Sequence, residues 1–115
     1  MEHRELLSGF VRLHILHHAA EGELYGHWMI EELAHHGYKL SPGTLYPLLH
    51  GLEKKGYLVS REERDGRTAR KFYRAPPLGI EALAIARAKA RELFGEIMHD
   101  PHGSKKTASR RKSGE

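Results

Sequence analysis

Between residues 6 and 16 the apolar positions fall into two interleaved stripes. Leu6, Phe10, Leu13 and Leu16 recur at spacings of three and four, and Leu7, Val11 and Ile15 run beside them. That period predicts an amphipathic helix from Glu2 to Ala20, with an apolar surface wide enough to be covered on two sides. Glu21-Gly22-Glu23 ends it, Gly22 being expected in the left-handed cap conformation. A second helix is predicted over Tyr25 to His36, its inner face drawn from Trp28 or Met29, Ile30 and Leu33, with Gly37 as its stop. A third starts after Ser41, whose hydroxyl can accept from the free amides of the first turn, with Pro42 at the first helical position. Leu45, Leu48, Leu49 and Leu52 form its stripe, and Lys54, Lys55 and Gly56 close it.

The period then changes. Tyr57 to Glu62 and Ala69 to Arg74 are β-prone, and Asp65-Gly66 between them predicts a hairpin. Pro76-Pro77 ends the hairpin. A last helix is predicted from Leu78 to Met98, with Ile80, Leu83, Ala86, Ala90, Phe94 and Ile97 along one face. From His102 to Glu115 no aliphatic side chain is larger than Ala108, which predicts disorder. There is no internal repeat. Three helices, a hairpin and a long helix are the order of a winged helix-turn-helix domain, so the expected fold is mainly α with a small β-hairpin. The expected divisions are a winged domain at 1–75, a C-terminal dimerisation helix at 76–100 and a disordered basic tail at 101–115.

Charge changes this picture only locally. The 115 residues carry a net charge of +4, but the tail alone accounts for it, and residues 1–100 are balanced. A nucleic-acid reading must therefore rest on where the charges sit. The absence of cysteine excludes disulfides and thiolate metal sites and fits a cytoplasmic protein. No apolar run reaches the roughly 18 residues of a membrane span, and the acidic N-terminal residues do not read as a signal peptide. A membrane is thus not an expected partner. With no cysteine nucleophile, phosphate-cradling glycine loop or His-Glu-x-x-His pattern, the chain is not expected to be an enzyme.

In a helix-turn-helix the first turns of the second helix reach base edges in the major groove. Here those turns read Ser41-Pro42-Gly43-Thr44-Leu45-Tyr46-Pro47. Ser41 and Thr44 offer short hydroxyls, Gly43 lets the backbone come close, and Tyr46 offers a flat face with a polar tip. Pro47, so near the helix start, removes an amide at little cost. Ser41 reads equally well as a simple helix cap, whereas Tyr46 is expected toward DNA rather than the core. Tyr25, Lys39 and His50 complete the expected contacts on this side. From Arg67 to Arg74 there are four basic residues (Arg67, Arg70, Lys71, Arg74) and no acid. Beside such a helix, Arg67, Arg70 and Lys71 form a wing suited to phosphates or a minor groove.

Leu13-His14-Ile15-Leu16, Tyr25-Gly26, Leu40 to Leu49, Leu52-Glu53, Gly56-Tyr57-Leu58 and Arg70-Lys71-Phe72-Tyr73 together resemble the PadR family of bacterial transcriptional regulators. The Ser-Pro-Gly-Thr-Leu-Tyr-Pro stretch is highly specific to that family, and the similarity spans about residues 6 to 95. The resemblance implies a winged-helix DNA-binding domain, repression of a nearby promoter and relief by an effector. The single short C-terminal helix looks like the smaller subtype, in which that helix makes the dimer. Leu6, Phe10 and Leu13, together with Leu83, Ala90, Phe94 and Ile97, are the expected dimer residues, and a homodimer matches a palindromic double-stranded operator. The chain departs from the family at Ala75-Pro76-Pro77-Leu78-Gly79, where a threonine and a short acidic stretch are usual, and in the histidine content of its first helix.

Ten histidines are present, with His14, His17 and His18 clustered late in the first helix and His35 and His36 ending the second. His14 and His18, one turn apart, can chelate a divalent metal, with Glu21 or Glu23 as carboxylate partners. No cofactor is required. A zinc- or nickel-type metal is an optional effector through His14, His17 and His18, and an unidentified small molecule is the other effector class. The competing functions are therefore a metal-responsive repressor and a winged-helix protein-interaction module without DNA. Trp28 is expected in the core, and the basic tail is expected to add salt-sensitive phosphate attraction.

Overall fold

A computed structural model describes residues 3–99; the expectations for the basic tail lie outside these residues. The predicted order of elements is present, with one addition. Helix α1 spans Arg4–Glu21, strand β1 Leu24–Tyr25, helix α2 Gly26–His35 and helix α3 Pro42–Lys54. Strands β2 (Val59–Asp65) and β3 (Thr68–Arg74) form the hairpin, and helix α4 spans Pro77–His99. No helix among the described residues is long and apolar enough to cross a membrane.

The addition is β1. Only two residues long, it pairs antiparallel with β3 through Leu24↔Tyr73 and Tyr25↔Phe72, giving a sheet of order β1-β3-β2. A two-residue strand leaves no alternation to read in a sequence. The hairpin register closes at Asp65↔Thr68. Its two-residue turn needs the positive φ that Gly66 supplies, at 64°.

One core joins these elements. Val11, Ile15, Leu16 and Ala19 of α1, Met29 and Leu33 of α2, and Leu45, Leu49 and Leu52 of α3 are buried together with Leu24, Leu58 and Tyr73. Of the two stripes on α1 it is chiefly the Val11–Ile15 side that is buried, while Leu6 and Phe10 are exposed at 78% and 47%. Met29, not Trp28, fills the inner face of α2; Trp28 is partly exposed, contrary to the expectation of a core residue. Gly22 does not take a left-handed cap. Its φ of 168° is extended backbone, and α1 ends on a Gly22 amide bond to the His18 carbonyl. Ser41 makes no side-chain cap either: its carbonyl, not its hydroxyl, accepts from Thr44 and Leu45.

The compact unit runs on to Ala84, past the expected boundary at 75. The reason is packing at the start of α4, where Gly79 and Leu83 are buried. A side chain at position 79 would run into the Tyr57 carbonyl and the Ala75 methyl. Leu83, expected at the dimer surface, belongs to this core. From Ile85 onward the described residues of α4 form a second unit, in which Leu93, Phe94, Ile97 and Met98 are all exposed.

Tyr73 is fully buried, and its hydroxyl has no hydrogen-bond partner among the described residues. Burial pushes this phenol up, and the nearby Glu53 carboxylate adds to the shift. A buried hydroxyl without a partner costs about 1–3 kcal/mol. Tyr73→Phe is therefore expected to leave the urea-unfolding free energy unchanged or raise it by up to about 1–3 kcal/mol. A clear loss of stability would show that the hydroxyl is bonded.

Candidate nucleic-acid interface

The interface begins with which side of α3 is sealed. Leu45, Leu49 and Leu52 are buried, and at about 100° per residue they lie on one side of the helix. Gly43, Pro47, His50 and Lys54, at i, i+4, i+7 and i+11, therefore share the opposite side, and all are exposed. Among the expected contacts, Gly43, Pro47 and His50 thus come together on one face, with exposed Ser41 at its N-terminal end. Thr44 is half-buried off this face, and its hydroxyl lies 3.4 Å from the Ser41 hydroxyl. Lys39 is exposed in the turn before the helix. Lys54 shares this face as well; in the sequence it reads as a helix-closing charge, and its spacing from His50 is the signal that places it here.

Pro47 sits inside α3 rather than at its free-amide start. An amide there would have bonded to the Gly43 carbonyl, so the proline removes that carbonyl's i+4 donor.

Tyr46 differs from expectation. It is half-buried against the core, and its ring fills the space above Gly26, where an added Cβ would lie 2.6 Å from Cζ. Gly26 is therefore the seat of Tyr46, and the ring locks α3 onto the start of α2. Its physical role is packing between two helices, which takes most of the ring away from a base edge.

The wing is exposed along its length from Arg61 to Lys71. Arg67 lies in the turn, and Arg70 stands 5.5 Å from the centre of the Tyr25 ring, which in turn packs edge-on to Phe72 at 5.9 Å. Tyr25 is accordingly a platform for Arg70. Lys71 reaches toward Tyr73, 6.0 Å from its ring centre. On β2, Arg61 donates two bonds to Glu23 at 2.6 and 2.7 Å and covers the Phe72 ring at 4.7 Å. This pairing holds the Glu23 carboxyl below the usual carboxylate range and raises the Arg61 guanidinium further. With its carboxylate so engaged, Glu23 is withdrawn from any metal. Ser60 donates to Glu53 at 2.5 Å and ties the base of β2 to α3.

The histidines divide into two groups. His14, His18 and His36 bring their ring nitrogens together, while His17 and His18 sit with Glu21. His17 is thus separated from the His14 set with which it was expected, and its partner is Glu21 at 3.4 Å. Burial, followed by neighbouring His36, His18 and His17, holds the His14 ring below the ordinary imidazole range.

Comparison with known proteins settles the family. The profile of the transcriptional regulator PadR-like family matches residues 15–85. The chain belongs to the PadR-like family of transcriptional regulators. A transcriptional regulator of Mycobacterium tuberculosis is 53% identical over 96 residues, covering 83% of this chain and 89% of that protein. A PadR-family regulator from Eggerthella lenta is 31% identical, with a TM-score of 0.76 over 85% of this chain and 87% of that one. A PadR-like regulator from Bacillus cereus has the same fold, with a TM-score of 0.76 at 24% identity, covering 86% and 98% of the two chains. The winged-helix fold and a role in transcriptional regulation rather than catalysis follow for this PadR-like chain.

The packing role of Tyr46 has a direct consequence. Tyr46→Ala is expected to lower the unfolding free energy of the DNA-free protein by about 1–3 kcal/mol, measured by urea denaturation. Unchanged stability would return Tyr46 to the DNA side.

Proposed function

We propose that this PadR-like regulator is a homodimeric repressor that seats α3 in the major groove of a palindromic operator. The β2–β3 wing lies along the adjacent backbone. The observation that carries this reading is the division of α3 into a sealed leucine side and an open side of Gly43, Pro47, His50 and Lys54. Glycine and proline there hold side-chain bulk down and let the helix approach the base edges, while His50 supplies donor and acceptor groups. The wing adds Arg67, Arg70 and Lys71 as phosphate contacts, with Arg70 supported on Tyr25.

Dimerisation is supported by the apolar residues left uncovered in each unit. These are Leu6 and Phe10 on α1, and Leu93, Phe94 and Ile97 on the second part of α4. A dimer would set two copies of α3 about 34 Å apart, one helical turn of DNA. Relief by a small molecule is supported by a groove of about 420 Å³ beside Trp28, Tyr25 and Phe72, within the general size range of ligand sites.

Two variants separate base reading from phosphate contact in a gel-shift titration against DNA from upstream of the gene itself. His50→Ala should reduce the preference for that DNA over unrelated sequence by about 1–3 kcal/mol. Arg70→Ala should weaken both bindings alike and reduce the salt slope by about one. Equal losses of both kinds from both variants would contradict the assignment of helix and wing. For the dimer, Phe94→Glu is expected to halve the mass measured by light scattering at micromolar concentration. A wild-type mass of one chain would overturn the homodimer.

A further inference from the structure

The structure assigns a binding site for a divalent transition metal to His14, His18 and His36, with Glu32 as the fourth ligand. It joins α1 to the C-terminal end of α2, and no residue of the α3 face or the wing takes part.

The ring nitrogens of the three histidines lie within 4.8 Å of one another. His14 and His18 are one helical turn apart on α1, and His36 is brought to them as the residue that caps α2. The His36 ring centre stands 4.7 Å from that of His14. Zinc–nitrogen bonds of about 2.0–2.1 Å place tetrahedral ligands about 3.4 Å apart. The rings therefore need only small rotations to close on an ion, and His36 has room for them, its side chain being 45% exposed. The same carboxylate oxygen of Glu32 lies 3.4 Å from His18 Nε2 and 3.1 Å from His36 Nε2. It thus stands against two of the three imidazoles, and a shift toward His14, the third, would make it the fourth ligand.

Orientation of His18 adds a further argument. Its Nε2 faces Glu32, while its Nδ1 lies 3.5 Å from Glu21 Oε1. A ligating imidazole commonly donates its second ring proton to a carboxylate, which fixes the tautomer and the ring plane. Glu21 is placed to do this, so His18 has one nitrogen for the metal and the other for its support. His17 contributes nothing to this set. Its group with His18 and Glu21 lies on one exposed helix face and would draw His18 away from Glu32.

Three imidazoles and one carboxylate suit Zn²⁺, Co²⁺ or Ni²⁺ and disfavour Mg²⁺ and Ca²⁺, which take oxygen ligands. The ion would pin α1 to the turn that leads into α3, because Gly37 to Leu40 follow His36 directly and Tyr38 packs edge-on to His14 at 5.4 Å. The sole tryptophan, Trp28, stands edge-on to His18 at 5.3 Å and gives the site an internal reporter.

The test is titration of the full chain with Zn²⁺ and with Co²⁺, followed by calorimetry, Co²⁺ absorption and Trp28 fluorescence. One ion per chain is expected, with a tetrahedral Co²⁺ spectrum and a change in Trp28 emission. His36→Ala should weaken binding at least about 10- to 100-fold, more than the loss of a supporting residue would, and abolish the tetrahedral spectrum. His17→Ala should leave affinity within about threefold, well short of that loss. Because His36 is exposed, its variant is expected to keep the wild-type metal-free melting temperature. A melting temperature raised by Zn²⁺ in the wild type but not in His36→Ala would support the site independently. No binding by the wild type, or equal binding by His36→Ala, would overturn it, as would a loss confined to His17→Ala.

Discussion

Burial of Leu45, Leu49 and Leu52 decides the orientation of α3, and the rest of the proposed interface depends on that orientation. Each buried leucine contributes about 1.5–3 kcal/mol relative to exposure. Turning the helix to present another side would bring at least two of the three into water, a loss comparable to a large part of a small domain's net stability. Gly43, Pro47, His50 and Lys54 are held outward by that constraint. The Tyr46 ring against Gly26 adds a second lock, this one setting α3 relative to α2. A half-buried tyrosine that looks like a reading residue thus works by holding α3 in place.

The wing is positioned by different forces. The Arg61–Glu23 pair has good geometry, but both groups are solvent-exposed, and such pairs are strongly screened. The β1–β3–β2 ladder, the buried Tyr73 and the half-buried Phe72 carry the position of the hairpin, while the ion pair orients Arg61 over Phe72. Tyr25 belongs to both arrangements: it pairs with Phe72 in β1 and supports Arg70. The short β1 strand links the start of α2 to the wing, so the helix pair and the hairpin share one frame.

Much of this was legible in the chain because each main element is long enough to show its period. The leucine spacing of α3, the Asp65-Gly66 turn and the apolar stripe of α1 each predict their element, and the Ser41 to Pro47 stretch carries the family. What the sequence left open depends on contacts between elements. Whether Met29 or Trp28 faces inward is decided by the approach of α1, and Tyr46 turns inward because Gly26 makes room for its ring. His36 joins His14 and His18 only when the end of α2 packs against α1; its place at that end was visible, but its neighbours were not. The Glu23–Arg61 pair joins residues 38 positions apart, across α2 and α3, and has no local signature. Ser41 and Gly22 show the opposite failing, in which a residue type suited to a cap occupies the right position and the backbone satisfies the helix end without it.

The central claim is that one open face of α3 and the wing together meet DNA. Amide chemical shifts of isotopically labelled protein, followed as DNA from upstream of the gene is added, test this most directly. The account predicts that the largest changes fall on Gly43, His50, Gly51 and Lys54 and on Gly66 to Lys71, with Met29 and Leu33 in the core little affected. Changes centred instead on the groove beside Trp28, with α3 and the wing unmoved, would contradict it.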